Sequence, residues 1–256
     1  MRLPTRSVNA RSVAAFLRRP ALWVGGLLLA EVVFFHWKVL FVPGYVIPWD
    51  LRYFHLPHAA YIASCLARGE LPLWDPFTYC GRPFAANIQV QLFYPPRWVS
   101  IGLHLWLGWD LLYCLELELI AHVFLAGLLT WLFLREFGLS PAAAAAGATA
   151  YQLGPFFSSQ AQHIGAVSAA GWLPLTWLAA ARLARNPSAS ALLLWAFGLA
   201  LTIFCGLPAM TVVAAFSSWW VAFTLARPWR QRLRITLLAA LAALLAGLLA
   251  GIQLLP

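Results

Sequence analysis

Asp50 and Asp75 are two of only eight acidic residues in this chain of 256, and both fall in a polar, proline-punctuated stretch at 48–96. A carboxylate in such a place could act as a general base, drawing the proton from an acceptor hydroxyl and so making it a nucleophile. The plain alternative for Asp50 is an interfacial anion, solvated or paired with Arg52. His55 and His58 follow. On a helix over 51–66 they would lie three apart on one face, with Asp50 near its N-terminus. An Asp with two His is a donor set for a divalent metal. No motif as specific as HExxH accompanies them, and hydrogen bonding at an interface is the plainer reading. Asp75 precedes Pro76, which makes it extended and suits it to a turn or cap as much as to chemistry. Arg82 and Arg97, like Arg52, could each pair with a phosphate; contact with lipid headgroups is the simpler alternative. His163, beside Ser158, Ser159, Gln160 and Gln162, is a further candidate for lining a substrate site. Cys65 and Cys80 share the polar stretch, so a disulfide is open to them in an oxidising compartment, subject to geometry.

The elements that must position these residues are membrane helices. The chain is 62% hydrophobic and 10% charged, with 14 Trp and 17 Phe, more apolar surface than a soluble domain of this length can bury. Uncharged runs recur, each near the ~20 residues that cross a ~30 Å hydrocarbon core. They are continuous, not alternating, which sets a barrel aside. The fold class is therefore all-α, a polytopic helical membrane protein. The net charge of +9 rests on arginines between the apolar runs. That pattern speaks for topology, and no nucleic-acid recognition motif accompanies it.

Arg2, Arg6, Arg11, Arg18 and Arg19 precede the first apolar run, and later clusters lie at Arg135, at Arg182 and Arg185, and at Arg227 to Arg234. The positive-inside rule puts all of them in the cytoplasm. Parity then predicts about seven spans, at 21–42, 112–134, 139–158, 163–181, 189–206, 208–226 and from 235 onward. Residues 1–20 form a basic cytoplasmic N-terminus, not a cleavable signal peptide. Residues 21–256 form one transmembrane domain, with 44–98 as its outer functional loop. The aromatic stretch 91–107 is read as interfacial or re-entrant. The loop, Ser158 to Gly165, Gly206 to Ala209 and Gln253 to Pro256 then all fall on the outer face. The small residues at 141–150 predict close helix packing. Glu31, Lys38, Glu116 and Glu118 lie in or near spans, where a charge is a functional candidate by default. The abrupt stop at Pro256 suggests a fragment of a longer chain.

An Asp soon after the first span, then Arg68-Gly-Glu-Leu-Pro-Leu-Trp-Asp-Pro76, Gly81-x-Pro83 and Phe93-Tyr94-Pro95, resembles the N-terminal part of the bacterial YfhO-like membrane proteins. Gly171-Trp-Leu-Pro-Leu175, Gly206-Leu-Pro-Ala209 and Gln253-Leu-Leu-Pro256 resemble that family's later segments. The resemblance implies a GT-C type fold, with interfacial helices in the first outer loop. It implies a glycosyltransferase of the plasma membrane, taking a sugar from a polyprenyl-phosphate donor to an envelope lipid, glycopolymer or protein acceptor. Asp50 would be the catalytic base. Arg52, His55, His58, Asp75, Arg82, Arg97 and His163 would bind substrate. A divalent-metal cofactor is left open. A transporter or lipid-carrier flippase, or a noncatalytic membrane subunit, is the alternative, the first predicting broken helices near mid-membrane.

Overall fold

A computed structural model describes residues 10–255, with side chains from Pro20 onward. The side chains of the N-terminal arginine cluster, and Pro256, lie outside the described residues.

The structure is nearly all helix. α1 (Ala10–Phe35) breaks at His36, and α2 (Trp37–Phe41) follows. The expected first span is thus an interrupted helix, of which Pro20–Phe35 is the apolar part. A π-helical turn over Leu51–His55 runs directly into α3 (Leu56–Ala67). β1 (Trp74–Asp75) pairs antiparallel with β2 (Arg82–Pro83) in a short hairpin. After a 3-10 turn at Ile88–Val90 come α4 (Pro95–Leu107), α5 (Leu111–Glu136), α6 (Pro141–Gln152), α7 (Pro155–Ser159), α8 (Ile164–Arg185), α9 (Ala189–Phe204), α10 (Pro208–Leu225), α11 (Trp229–Leu249) and α12 (Gly251–Leu254).

Among the described residues, four helices are long and apolar enough to cross a membrane: α5, α8, α10 and α11. The 16-residue α9 is apolar but shorter. The span expected at 139–158 is divided. α6 has 12 residues, a rise of only about 18 Å, and the chain turns at Gly154 before α7. Pro155 explains the break, because the residue before a proline is driven out of the α region; Gly154 has ψ 154°.

α8 is the central helix, packed against α5, α9 and α10. Its Ala and Gly residues make this possible by letting backbones approach. A Cβ on Gly171 would stand 3.0 Å from the His122 carbonyl of α5. The small-residue run works the same way in α6, where Ala144, Ala145 and Ala148 bury against Trp131, Val24 and Leu28. Caps set the helix starts: Asp110 accepts from Tyr113 N–H, Ser140 from Ala143 and Ser188 from Ala191.

The turns sort to two ends. At one, Arg182 and Arg185 from α8 reach Glu136 of α5, at 3.0 and 3.9 Å. At the other lie the start of α8 and the α9–α10 turn. α4 has an inverted character, with Arg97, Ser100 and Ile101 turned inward and Val99, Trp106 and Leu107 exposed.

Candidate functional site

A cavity of about 340 Å³ opens at the end of the bundle opposite Glu136 and its arginines. Asp50, Phe54 and His55 enter it from the π-helical turn, and Gln89 from the 3-10 turn. Gln160 and His163 come from the connection between α7 and α8, and Gly165 and Ala166 from the first turn of α8. Cys205, Gly206 and Leu207 come from the α9–α10 turn. Three of the four segments expected to share a face therefore meet in one pocket. The fourth does not line it; Gln253 is buried elsewhere, with neither amide atom bonded.

Two glycines let these segments close together. Gly206 has φ +74° and lies against the Ile88 carbonyl so tightly that a Cβ would collide with it. A Cβ on Gly165 would come 2.6 Å from the Cys205 carbonyl. Asp50 is set by its own turn. Trp49 has φ +64°, a left-handed conformation that costs a non-glycine residue about 1–2 kcal/mol, and its carbonyl accepts from the N–H groups of Arg52 and Tyr53. π-turns and strained residues of this kind concentrate at functional sites.

Nδ1 of His163 lies 3.2 Å from Oδ2 of Asp50, and both side chains are roughly half exposed. Asp50 is therefore partnered by His163 and not by Arg52, whose guanidinium packs over the Tyr53 ring. His55 is buried, and its Nδ1 has no partner. Burial, and then the positive charge of Arg97, push its pKa down to about 3, so the ring is neutral. The starts of α8 and α10 both reach the cavity wall, which places two positive helix-dipole ends beside it.

The structure corrects several expected placements. His55 and His58 both pack against the Phe54 ring but meet different polar neighbours. His58 Nδ1 bonds the Phe54 carbonyl at 2.6 Å and its Nε2 lies 3.4 Å from Arg82, so it turns toward the hairpin. Asp50, His55 and His58 thus form no metal-ligand set, and no cluster of three or more such donors occurs among the described residues. Asp75 is a structural residue. It accepts from Phe77 N–H at 2.9 Å and pairs across the hairpin with Arg82 at 3.4 Å. Its burial is outweighed by Thr78, Phe77 and Arg82, which together lower its pKa. Arg82 is thereby engaged with Asp75 and His58, outside the pocket. Arg97 is fully buried and paired with Glu118 at 3.0 Å, so it is not open to a substrate phosphate. Cys65 is buried and Cys80 exposed, both as free thiols.

The network around Arg97 was not foreseen. Its NH2 group donates to Gln91 Oε1, and Gln91 Nε2 donates to the Cys205 carbonyl at 2.9 Å. Ser100 donates to Glu118 at 2.7 Å. Beside it, the Tyr94 hydroxyl lies 2.5 Å from His122 Nε2 and accepts from Trp172 Nε1 at 2.6 Å. Gln89 and Gln91, polar positions in an apolar stretch, were the available signal. Of the remaining intramembrane candidates, Glu31 accepts from Thr149 and Gln152, Glu116 accepts from Ile47 N–H at 2.7 Å, and Lys38 packs near Trp37 and Tyr45.

The fold and pocket define a nearly all-α protein, compatible with a membrane, that carries a carboxylate–imidazole pair in an open cavity at one end. No protein family, curated protein or solved structure matches the chain.

Proposed function

We propose that this chain is a membrane glycosyltransferase of the GT-C type, related to the YfhO-like proteins that its motifs resemble. The observation that carries the reading is the pocket, in which Asp50 is the one acidic residue among the lining groups. In this reading the arginine-rich end faces the cytoplasm and the pocket opens at the outer face of the plasma membrane. The donor is a polyprenyl-phosphate-linked sugar, and the acceptor is a hydroxyl of an envelope lipid, glycopolymer or protein.

Asp50 takes the acceptor hydroxyl proton as the acceptor oxygen bonds to the sugar's anomeric carbon. The bond from that carbon to the phosphate oxygen breaks, and its electron pair leaves on polyprenyl phosphate. Configuration at the carbon inverts. His163 orients the Asp50 carboxylate. The ends of α8 and α10 favour the anionic leaving group, and neutral His55 is free to hydrogen-bond a sugar hydroxyl. Arg52, exposed beside Asp50, remains the arginine available to a phosphate, since Arg82 and Arg97 are engaged. The transporter alternative predicts helices broken near mid-membrane; α8 runs unbroken through Pro174, whereas the first apolar helix is interrupted at His36 and the 139–158 segment at Gly154.

The test compares envelope glycolipids and glycopolymers by mass spectrometry in a host lacking the native copy, with the native chain or Asp50→Asn at matched membrane levels. A sugar modification restored by the native chain and absent with Asp50→Asn is the expected result. Restoration by both would remove Asp50 as the base, and restoration by neither would leave the noncatalytic reading as the better one.

A further inference from the structure

At the end of the bundle opposite the Asp50 pocket, a second cavity of about 390 Å³ lies where α8 gives way to α9. Arg182, Arg185 and Asn186 line it from the end of α8, Ser188 and Ser190 from the start of α9, and Glu136 from α5. It shares no lining residue with the Asp50 pocket. Glu136 is the last acidic residue in the sequence. The α10–α11 turn, which carries Arg227, Arg230, Arg232 and Arg234, is tied to this end by Gln231, whose Nε2 donates to the Ala184 carbonyl at 3.0 Å. The cavity therefore sits in a positive field.

Glu136 does not use up the two guanidinium groups. Arg182 reaches its carboxylate through Nε at 3.0 Å, and Arg185 donates Nη1 to its backbone carbonyl. The remaining nitrogens of both forks have no acceptor among the described residues, and the two side chains are 47% and 39% exposed. The first turn of the 16-residue α9 adds further donors. Ser188 takes the Ala191 N–H, while the N–H groups of Ala189 and Ser190 have no acceptor among the described residues. Guanidinium forks, hydroxyls and open N–H groups at a helix start are the donors that recognise phosphate. Topology requires only the charge of these arginines; it does not require that they share a cavity with two serines and a helix start. Ala191 and Leu194 carry the lining on along α9, a turn past Ser190, so the cavity suits a phosphate that bears an apolar tail as well as a free one.

We propose that this cavity is a phosphate-binding site, its ligand the headgroup of an anionic phospholipid or a free phosphate. Arg182 and Arg185 pair with the anion, Ser190 and the first turn of α9 donate to it, and Glu136 holds the two forks in place. The inference rests on the α8–α9 turn, and not on the transferase reading.

The test is thermal unfolding of the full chain in a nonionic detergent, titrated with dioctanoyl phosphatidylglycerol, dioctanoyl phosphatidylcholine or inorganic phosphate. Ser190 is exposed, and an acid in the first turn of a helix favours the helix dipole, so Ser190→Asp keeps the fold while repelling an anion. Arg182→Gln removes one fork at the cost of an exposed ion pair, worth about 1 kcal/mol or less. Arg230→Gln, exposed at the same end but outside the cavity, is the control for diffuse surface charge. The expected result is a saturable rise in unfolding temperature of the native chain and of Arg230→Gln with phosphatidylglycerol. Binding should be about tenfold weaker or worse in Ser190→Asp and Arg182→Gln, the loss of a charge-assisted contact. The same pattern with inorganic phosphate would make the ligand a free phosphate; a response to phosphatidylglycerol alone would make it a lipid headgroup. No rise in the native chain with either ligand, an equal rise with phosphatidylcholine, full retention by Ser190→Asp and Arg182→Gln, or an equal loss in Arg230→Gln would each overturn the proposal.

Discussion

The imidazole of His163 stands 3.2 Å from the carboxylate of Asp50, so the pocket's one acid is oriented by a residue from a distant part of the chain. Removing the contact while keeping the carboxylate should weaken catalysis without abolishing it. His163→Gln forfeits an interaction worth about 1.5 kcal/mol, or roughly tenfold in kcat, whereas Asp50→Asn should cost about 10²–10⁴-fold. Transfer rates measured across pH separate a positioning role from a packing one. A His163→Gln profile that superimposes on the native one would make the contact incidental.

Cys80 is the exposed thiol among the four cysteines; Cys65, Cys114 and Cys205 are buried. A membrane-impermeant maleimide added to intact cells should therefore label the native chain once, and Cys80→Ser should remain unlabelled. Labelling that requires permeabilised cells would place the hairpin on the cytoplasmic side and reverse the proposed topology.

The Arg97–Glu118 pair is buried on both sides. Truncating one partner strands the other charge, so Arg97→Ala should destabilise the fold by about 3–5 kcal/mol. Thermal unfolding in detergent measures this. Replacing both partners with apolar residues of similar volume should recover much of the loss, which a requirement for the charges themselves would not permit.

Gly206→Ala tests the closure of the pocket. The left-handed backbone costs an alanine about 1–2 kcal/mol, and the added methyl meets the Ile88 carbonyl. The variant should lose at least that much stability and should bind donor more weakly. A change in KM no larger than that of a Gly247→Ala control, where a Cβ meets nothing, would separate this turn from substrate binding.

His55 predicts acid sensitivity. Its folded pKa, about 3, lies below the ordinary value of 6.5. Above 6.5 the ring is neutral in both states and its contribution to stability is intact. As the pH falls from 6.5 toward 3 the unfolded chain gains a proton that the folded chain does not, and stability is lost progressively. His55→Gln should flatten the fall in unfolding temperature over that window. An unchanged slope would assign the acid sensitivity to other groups.

Some of this was legible in the residues alone. Long apolar runs oblige a chain to form helices, because no other local structure satisfies its backbone in a low-dielectric setting. The small residues of 141–150 foretold tight packing, and Asp50 stood out because acids are scarce. The convergence of the 44–98 loop, the His163 turn and the Gly206 turn followed from charge parity.

What the residues could not reveal was which side chains face one another. Asp50 could be paired with Arg52 on sequence proximity, but the turn at Trp49 gives it to His163. Arg82 and Arg97 looked equally suited to a phosphate, until Asp75 and Glu118 neutralised them. Periodicity placed His55 beside His58, but tertiary packing gives them different polar neighbours: His58 meets Arg82, while His55 lines the Asp50 pocket. Local apolar pattern and charge order act along the chain, so they determined the helices and the end at which these polar segments gather. Ion-pair partners, the close approach at Gly165 and Gly206, and the two cavities depend on contacts between residues far apart in sequence, and only the tertiary structure decided them.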